Sequence, residues 1–154
     1  VYRFKALGLE VFLVHPGGPF WHGKDEGAWS IPKGEYGEGE NPLAAAQREF
    51  KEETGHEVDG EFVPLGPIKQ AGGKIVTAWA LEADCDADRI KSNRFSMEWP
   101  PHSGRQAEFP EIDRAGWFSL PVARRKLLKR QAAFLDRLAE VLEEGEDAGS
   151  ETSP

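Results

Sequence analysis

The sequence predicts an α+β domain, an α/β/α sandwich around a mixed β-sheet. Three observations predict it: short apolar runs bounded by Gly and Pro, one well-capped helix over Asn41–Thr54, and an apolar stripe of helical period near the C-terminus.

Glu10–His15 (Glu-Val-Phe-Leu-Val-His) has strand character and pairs with Val1–Lys5 across a turn at Ala6–Leu9. His15–Gly27 is a Gly/Pro-rich loop without the spacing of a P-loop, so it is not expected to cradle phosphate. Trp29–Ile31 makes a short strand stopped by Pro32, and Lys33–Asn41, with three glycines, a structured loop. In the helix that follows, Asn41 caps the start, Pro42 takes the first helical position, and Gly55 supplies a left-handed end. Glu61–Gln70 and Lys74–Leu81 are two strands joined at Gly72–Gly73. Asp84–Asn93 is polar and predicts no element. Phe95–Trp99 is a short strand before the breaker Pro100–Pro101, Met97–Asp113 is irregular, and Asp113–Ser119 is another strand. Pro121–Leu142 is helical, with an apolar stripe at Leu127, Phe134, Leu135, Leu138 and Leu142 and a break near Lys129–Gln131. Residues 1–143 form one domain, and the acidic stretch 144–154 is expected to be a disordered tail.

Bulk properties narrow the function. A chain of 154 residues holds one domain with a real core, and 39 % hydrophobic with 30 % charged residues fits a globular protein. No apolar run approaches the ~20 residues of a membrane span, and no signal-peptide pattern is present. The chain begins at Val1 instead of Met, which leaves room for an upstream segment. The single cysteine, Cys85, excludes an internal disulfide and a Cys-rich metal site, and fits a reducing cytoplasm. A net charge of −8 disfavours a protein that grips nucleic acid by its backbone. It is compatible with a small polyanion held through a metal ion.

The chemistry lies on the Asn41–Thr54 helix. At about 100° per residue, with Glu49 at zero, Glu53 falls near +40° and Glu52 near −60°. Three carboxylates therefore crowd one face. Leu43, Ala46, Phe50 and Thr54 form an adjacent apolar stripe that can dock on a core. Like charges at these spacings weaken a helix by a few tenths of a kcal/mol each, so folding alone does not ask for them. A hard divalent cation reverses the sign, because converging carboxylates suit Mg²⁺ or Mn²⁺. Arg48 stands four residues before Glu52 and can pair with it, leaving Glu49 and Glu53 as the best direct ligands. An acidic helix face usually means only solvation. The loop in front of the helix overturns that reading.

Gly34, Glu40, Arg48, Glu49, Phe50, Glu52, Glu53 and Gly55 fall in the register Gly-x5-Glu-x7-Arg-Glu-U-x-Glu-Glu-x-Gly-U, where U is apolar. This segment resembles the Nudix box. One position departs: His56 stands where the last apolar residue is expected, which bears on packing at the helix end more than on chemistry. The resemblance implies the Nudix fold, with the box as loop–helix–loop. It implies that Glu49, Glu52 and Glu53 organise Mg²⁺ (or Mn²⁺), that the carbonyl of Lys33 joins the metal shell, and that Gly34, Glu40, Arg48 and Gly55 brace the loop. It also implies hydrolysis of a pyrophosphate bond in a nucleoside diphosphate linked to a group X. The general base comes either from the helix, as Glu49 or Glu52, or from the late candidates Glu98, Glu108 and Glu111, of which Glu108 and Glu111 rank equal.

Substrate contacts are less sharply written. Trp29, Trp79 and Trp117 sit in strand-like contexts and are expected in the core, whereas Trp21 and Trp99, in Pro/Gly-rich surroundings, suit base stacking. Lys33, Lys74 and Arg3 are candidates for phosphate contacts. Beyond the box the chain resembles predicted NTP pyrophosphohydrolases and, in Trp29–Lys33, diadenosine polyphosphate hydrolases. The expected substrate is an NTP or dinucleoside polyphosphate. A nucleotide-sugar hydrolase of the ADP-ribose type and a non-catalytic nucleotide sensor are the alternatives, the sensor disfavoured by the intact glutamates. The expected partner is thus a small nucleotide, with no membrane or nucleic acid, on a monomer or weak dimer.

Overall fold

The computed structural model of the chain describes residues 1–33, 39–69 and 71–151. The described residues include seven strands: β1 (Tyr2–Lys5), β2 (Gly8–Pro16), β3 (Val63–Lys69), β4 (Ile75–Ala80), β5 (Arg94–Glu98), β6 (Gln106–Pro110) and β7 (Ile112–Ser119). The three α-helices are α1 (Pro42–Thr54), α2 (Leu120–Lys126) and α3 (Ala132–Glu151). The central sheet runs β1-β2-β7, antiparallel throughout. A parallel bridge between Tyr2 and Glu82 ties the end of the β3–β4 hairpin to β1, which makes the β-structure mixed.

Strand β2 organises the layers. Its side chains alternate across the sheet, and both faces are buried. Val11 and Leu13 pack with Ala123, Leu127, Leu135 and Leu138 of the C-terminal helical region. Phe12 and Val14 pack on the other face with Phe50 of α1 and Ile112 of β7. Helices thus cover both sides of one strand. Each fully buried side chain of this kind contributes about 1.5–3 kcal/mol relative to exposure, and Phe12 and Leu13 are essentially inaccessible to solvent.

Several elements differ from the sequence expectation. Trp29–Ile31 does not become a strand: Ser30 and Trp29 form single bridges to Val14 and Leu127. Met97–Asp113 is not irregular, because β5 and β6 pair as an antiparallel hairpin. Helix α3 continues past Leu142 to Glu151. The predicted break near Lys129–Gln131 is present as a 3₁₀ turn. Among the described residues, no helix is long and apolar enough to cross a membrane.

Candidate active site

Helix α1 is fixed at both ends. The Asn41 side chain accepts from the N–H groups of Leu43 (2.9 Å) and Ala44 (3.1 Å). Gly55 adopts φ 78° and its N–H donates to the Lys51 carbonyl at 2.7 Å, closing the helix in a conformation that glycine favours. A β-carbon at Gly55 would also approach the Lys91 backbone at 3.0 Å. His56, at the one departing box position, donates its N–H to Thr54 Oγ1, and its ring contacts the Asp86 carbonyl.

With Phe50 docked in the core, Glu53 lies on the buried border of the helix, only 9 % exposed. The Lys33 N–H reaches its Oε2 at 3.3 Å. Burial pushes the Glu53 carboxyl up to about 8; the Lys33 N–H opposes the shift, and Glu49 and Glu111 reinforce it. Burial also raises Glu49, with Glu52 adding repulsion and Arg48 opposing it. Arg48 gathers three acids: its Nε donates to Glu40 (2.9 Å), and its Nη1 to Glu49 (2.9 Å) and Glu52 (3.1 Å). Hydrogen bonds to Glu40 and Glu52 hold the guanidinium charged well beyond its ordinary range. Two box glutamates share one Arg48 nitrogen, and no group of three His, Cys, Asp or Glu among the described residues converges as a ready metal cage. Gly34, expected to brace the loop, lies outside the described residues.

Backbone hydrogen bonds bring the late carboxylate to the helix. The Asn93 N–H donates to the Glu52 carbonyl, the Glu111 N–H donates to the Asn93 carbonyl, and the Gly17 N–H donates to the Glu111 carbonyl, all at 2.8 Å. This ladder stations Glu111, between β6 and β7, where its charge acts on both Glu49 and Glu53. Glu108, ranked equal from sequence, points elsewhere: it is exposed on β6 and faces Arg94 at 3.9 Å. Glu98 is exposed on β5.

The candidate substrate residues separate into groups. Lys33 and Lys74 line a cavity of about 620 Å³ between α1 and β4, together with Gln47, Thr77 and Trp79. Trp79, expected in the core, is therefore a cavity wall, whereas Trp29 is buried against His15 and Phe118, and Trp117, half-buried, packs on Phe12. Arg3 lines neither this cavity nor the carboxylate cluster. It is committed to Glu10 (2.8 Å) and Asp84 (2.7 Å) and lies 4.1 Å over the Trp117 ring, which a β1 side chain on the sheet surface reaches more readily than a phosphate. Trp21 stays in the 17–27 loop beneath Lys24. Trp99 lines a second cleft with His22, Phe109 and Asp113.

One positioning residue escaped the sequence reading. Gln131, wholly buried, accepts the Ile31 N–H at 3.0 Å and exchanges hydrogen bonds with Ser30. It thereby steadies the segment that delivers Lys33 to Glu53. A single Gln within a basic, helix-forming stretch carries no pattern that announces this.

A Nudix-domain family model matches residues 5–138. The chain belongs to the Nudix family and, by class, is a Nudix pyrophosphohydrolase. Its fold is similar to that of a C. elegans Ap4A hydrolase in a binary complex, at 22 % identity and TM-score 0.62, covering 93 % of each chain. A second C. elegans Ap4A hydrolase structure shares 23 % identity at TM-score 0.53, covering 92 % of each. A MutT/Nudix family protein from Listeria innocua shares 20 % identity at TM-score 0.59, covering 94 % of this chain and 90 % of that one. No curated protein sequence matches significantly.

Proposed function

We propose that the protein is a Mg²⁺-dependent hydrolase of the pyrophosphate bond in an NTP or dinucleoside polyphosphate, acting in the cytoplasm. The observation that carries this reading is a surplus of carboxylate with too little cation: Glu53 is buried, bears one long N–H contact, and is pressed by Glu49 and Glu111. Such a donor set fits a hard divalent ion. Glu53 and Glu49 would hold it with Glu52, the last two giving up part of their bond to Arg48, and the Lys33 carbonyl would join them. A bound divalent ion neutralises the phosphates and lowers the pKa of the attacking water.

The chain's own groups supply the remainder. Lys33 and Lys74, at the wall of the 620 Å³ cavity, meet the phosphates while its apolar surface takes a nucleoside. A carboxylate oxygen of Glu111 accepts the proton of the attacking water, a role favoured over Glu108 by its place beside Glu49 and Glu53. Arg48 and Glu40 hold the acidic face in position. The fold neighbours include C. elegans Ap4A hydrolases, which supports a dinucleoside polyphosphate as substrate.

The test is product identification across NTPs, diadenosine polyphosphates, ADP-ribose and capped RNA, in Mg²⁺, in Mn²⁺ and in chelator. Metal-dependent cleavage of NTPs or dinucleoside polyphosphates is expected. Turnover undiminished by chelator, or confined to ADP-ribose or capped RNA, would sink the reading.

A further inference from the structure

We infer that the cleft between the 17–24 loop and the β5–β6 hairpin is a subsite for a second nucleobase, which makes a dinucleoside polyphosphate the preferred substrate. This deepens the function proposed above and rests on it for the identity of the phosphate chain.

Four observations carry it. The cleft is an open surface groove of about 450 Å³. Two of its lining residues are aromatic, Trp99 and Phe109, and beside it Phe20, 59 % exposed, meets the Trp99 ring edge-on at 5.7 Å. Exposed aromatic faces of this kind stack bases irrespective of sequence. Its lining also includes Asp113, whose Oδ1 lies 2.7 Å from His15 Nδ1, so the carboxyl is anchored and can accept from an exocyclic amine.

The cleft also borders the backbone of Glu111. Pro110 lines it and is the neighbour of Glu111; Gly18 lines it and follows Gly17, whose N–H holds the Glu111 carbonyl. The loop and hairpin approach so closely that a β-carbon on Gly17 would stand 2.1 Å from the Pro110 oxygen, and one on Gly18 2.9 Å from the Phe95 ring. Lys33, which lines the first cavity, donates its N–H to Glu53, and Pro110, which lines this cleft, directly precedes Glu111. A polyphosphate lying across Glu53 and Glu111 therefore has a nucleoside site at each end.

The experiment is calorimetric titration, in Mg²⁺, of two hydrolysis-resistant methylene-bridged analogues: one of diadenosine tetraphosphate and one of ATP. Wild type is expected to bind the two-headed analogue about tenfold more tightly, the usual worth of one stacked base. Trp99→Ala should abolish that ratio while leaving the ATP analogue's Kd within about twofold. Trp99→Phe should keep most of the ratio. His22→Ala, on an exposed wall, should reduce it in the same direction and carries the test if Trp99→Ala does not fold. Equal Kd values for the two analogues in wild type, or an unchanged ratio in Trp99→Ala, would overturn the inference. If the ratio is present but neither parent compound is hydrolysed, the catalytic reading fails and the subsite stands. Hydrolysis with equal Kd values gives the converse.

Discussion

Two arginines of this protein sit among acids, and they do different work. Arg3 on β1 faces Glu10 and Asp84, and Lys5 shares Asp84, so two cations meet two anions and Trp117 covers the guanidinium. Among the described residues Arg48 on α1 faces Glu40, Glu49 and Glu52, with Glu53 and Glu111 close behind. The first cluster is neutral and complete. Among the described residues the second holds more carboxylates than cations, and the most buried of those carboxylates is Glu53. A structural ion pair closes its own balance, whereas a site leaves the balance to its ligand.

The comparison can be broken most directly at Glu53. Glu53→Gln should leave the fold intact and lower Mg²⁺-dependent turnover by at least about a hundredfold, the upper end of what loss of an outer-shell partner costs. Unchanged turnover would remove Glu53 from the metal site. Arg48→Ala should reduce kcat by about ten- to a hundredfold, since the three acids it gathers lose their common partner; an effect confined to KM would assign it to substrate instead.

Acidity sharpens the contrast further. Unfolded Glu titrates near 4.3, and folded Glu53 near 8, so between these values the metal-free folded chain holds the extra proton. Its stability is greatest below the lower value and falls as pH rises through the upper one. Thermal melts in chelator should show a lower midpoint at pH 8 than at pH 5.5, and Mg²⁺ should recover it at pH 8. Glu53→Gln should lack this part of the pH dependence. The smallest effect is expected at the balanced cluster: Arg3→Ala should cost about 1 kcal/mol of stability and leave turnover within about twofold. A large loss of activity there would dissolve the distinction.

The box helix was legible because each signal is local. Asn41, Pro42 and Gly55 mark its ends within one turn, and the carboxylate angles follow from helical geometry. Strand β6 was not legible, because Gln-Ala-Glu-Phe-Pro offers two apolar residues and ends in proline; pairing with β5 makes it a strand. The choice between Glu108 and Glu111 lay equally beyond the sequence. They stand three positions apart, yet the Asn93–Glu111–Gly17 ladder draws only one toward α1. Arg3 and Lys33 look alike as isolated cations, and only tertiary partners separate them. Gln131 acts across a separation of 100 residues from Ile31, which no local pattern records.

That last contact also sets an order of events during synthesis. Helix α1, with every box glutamate, leaves the ribosome long before residue 131 does. Until Gln131 arrives, the Ile31 N–H lacks its acceptor and the strip leading to Lys33 is held chiefly by earlier neighbours. The acids that define the enzyme are therefore made early, and the part that steadies them comes near the end of the chain, so a nascent or truncated product carries the chemistry's residues without its finished geometry.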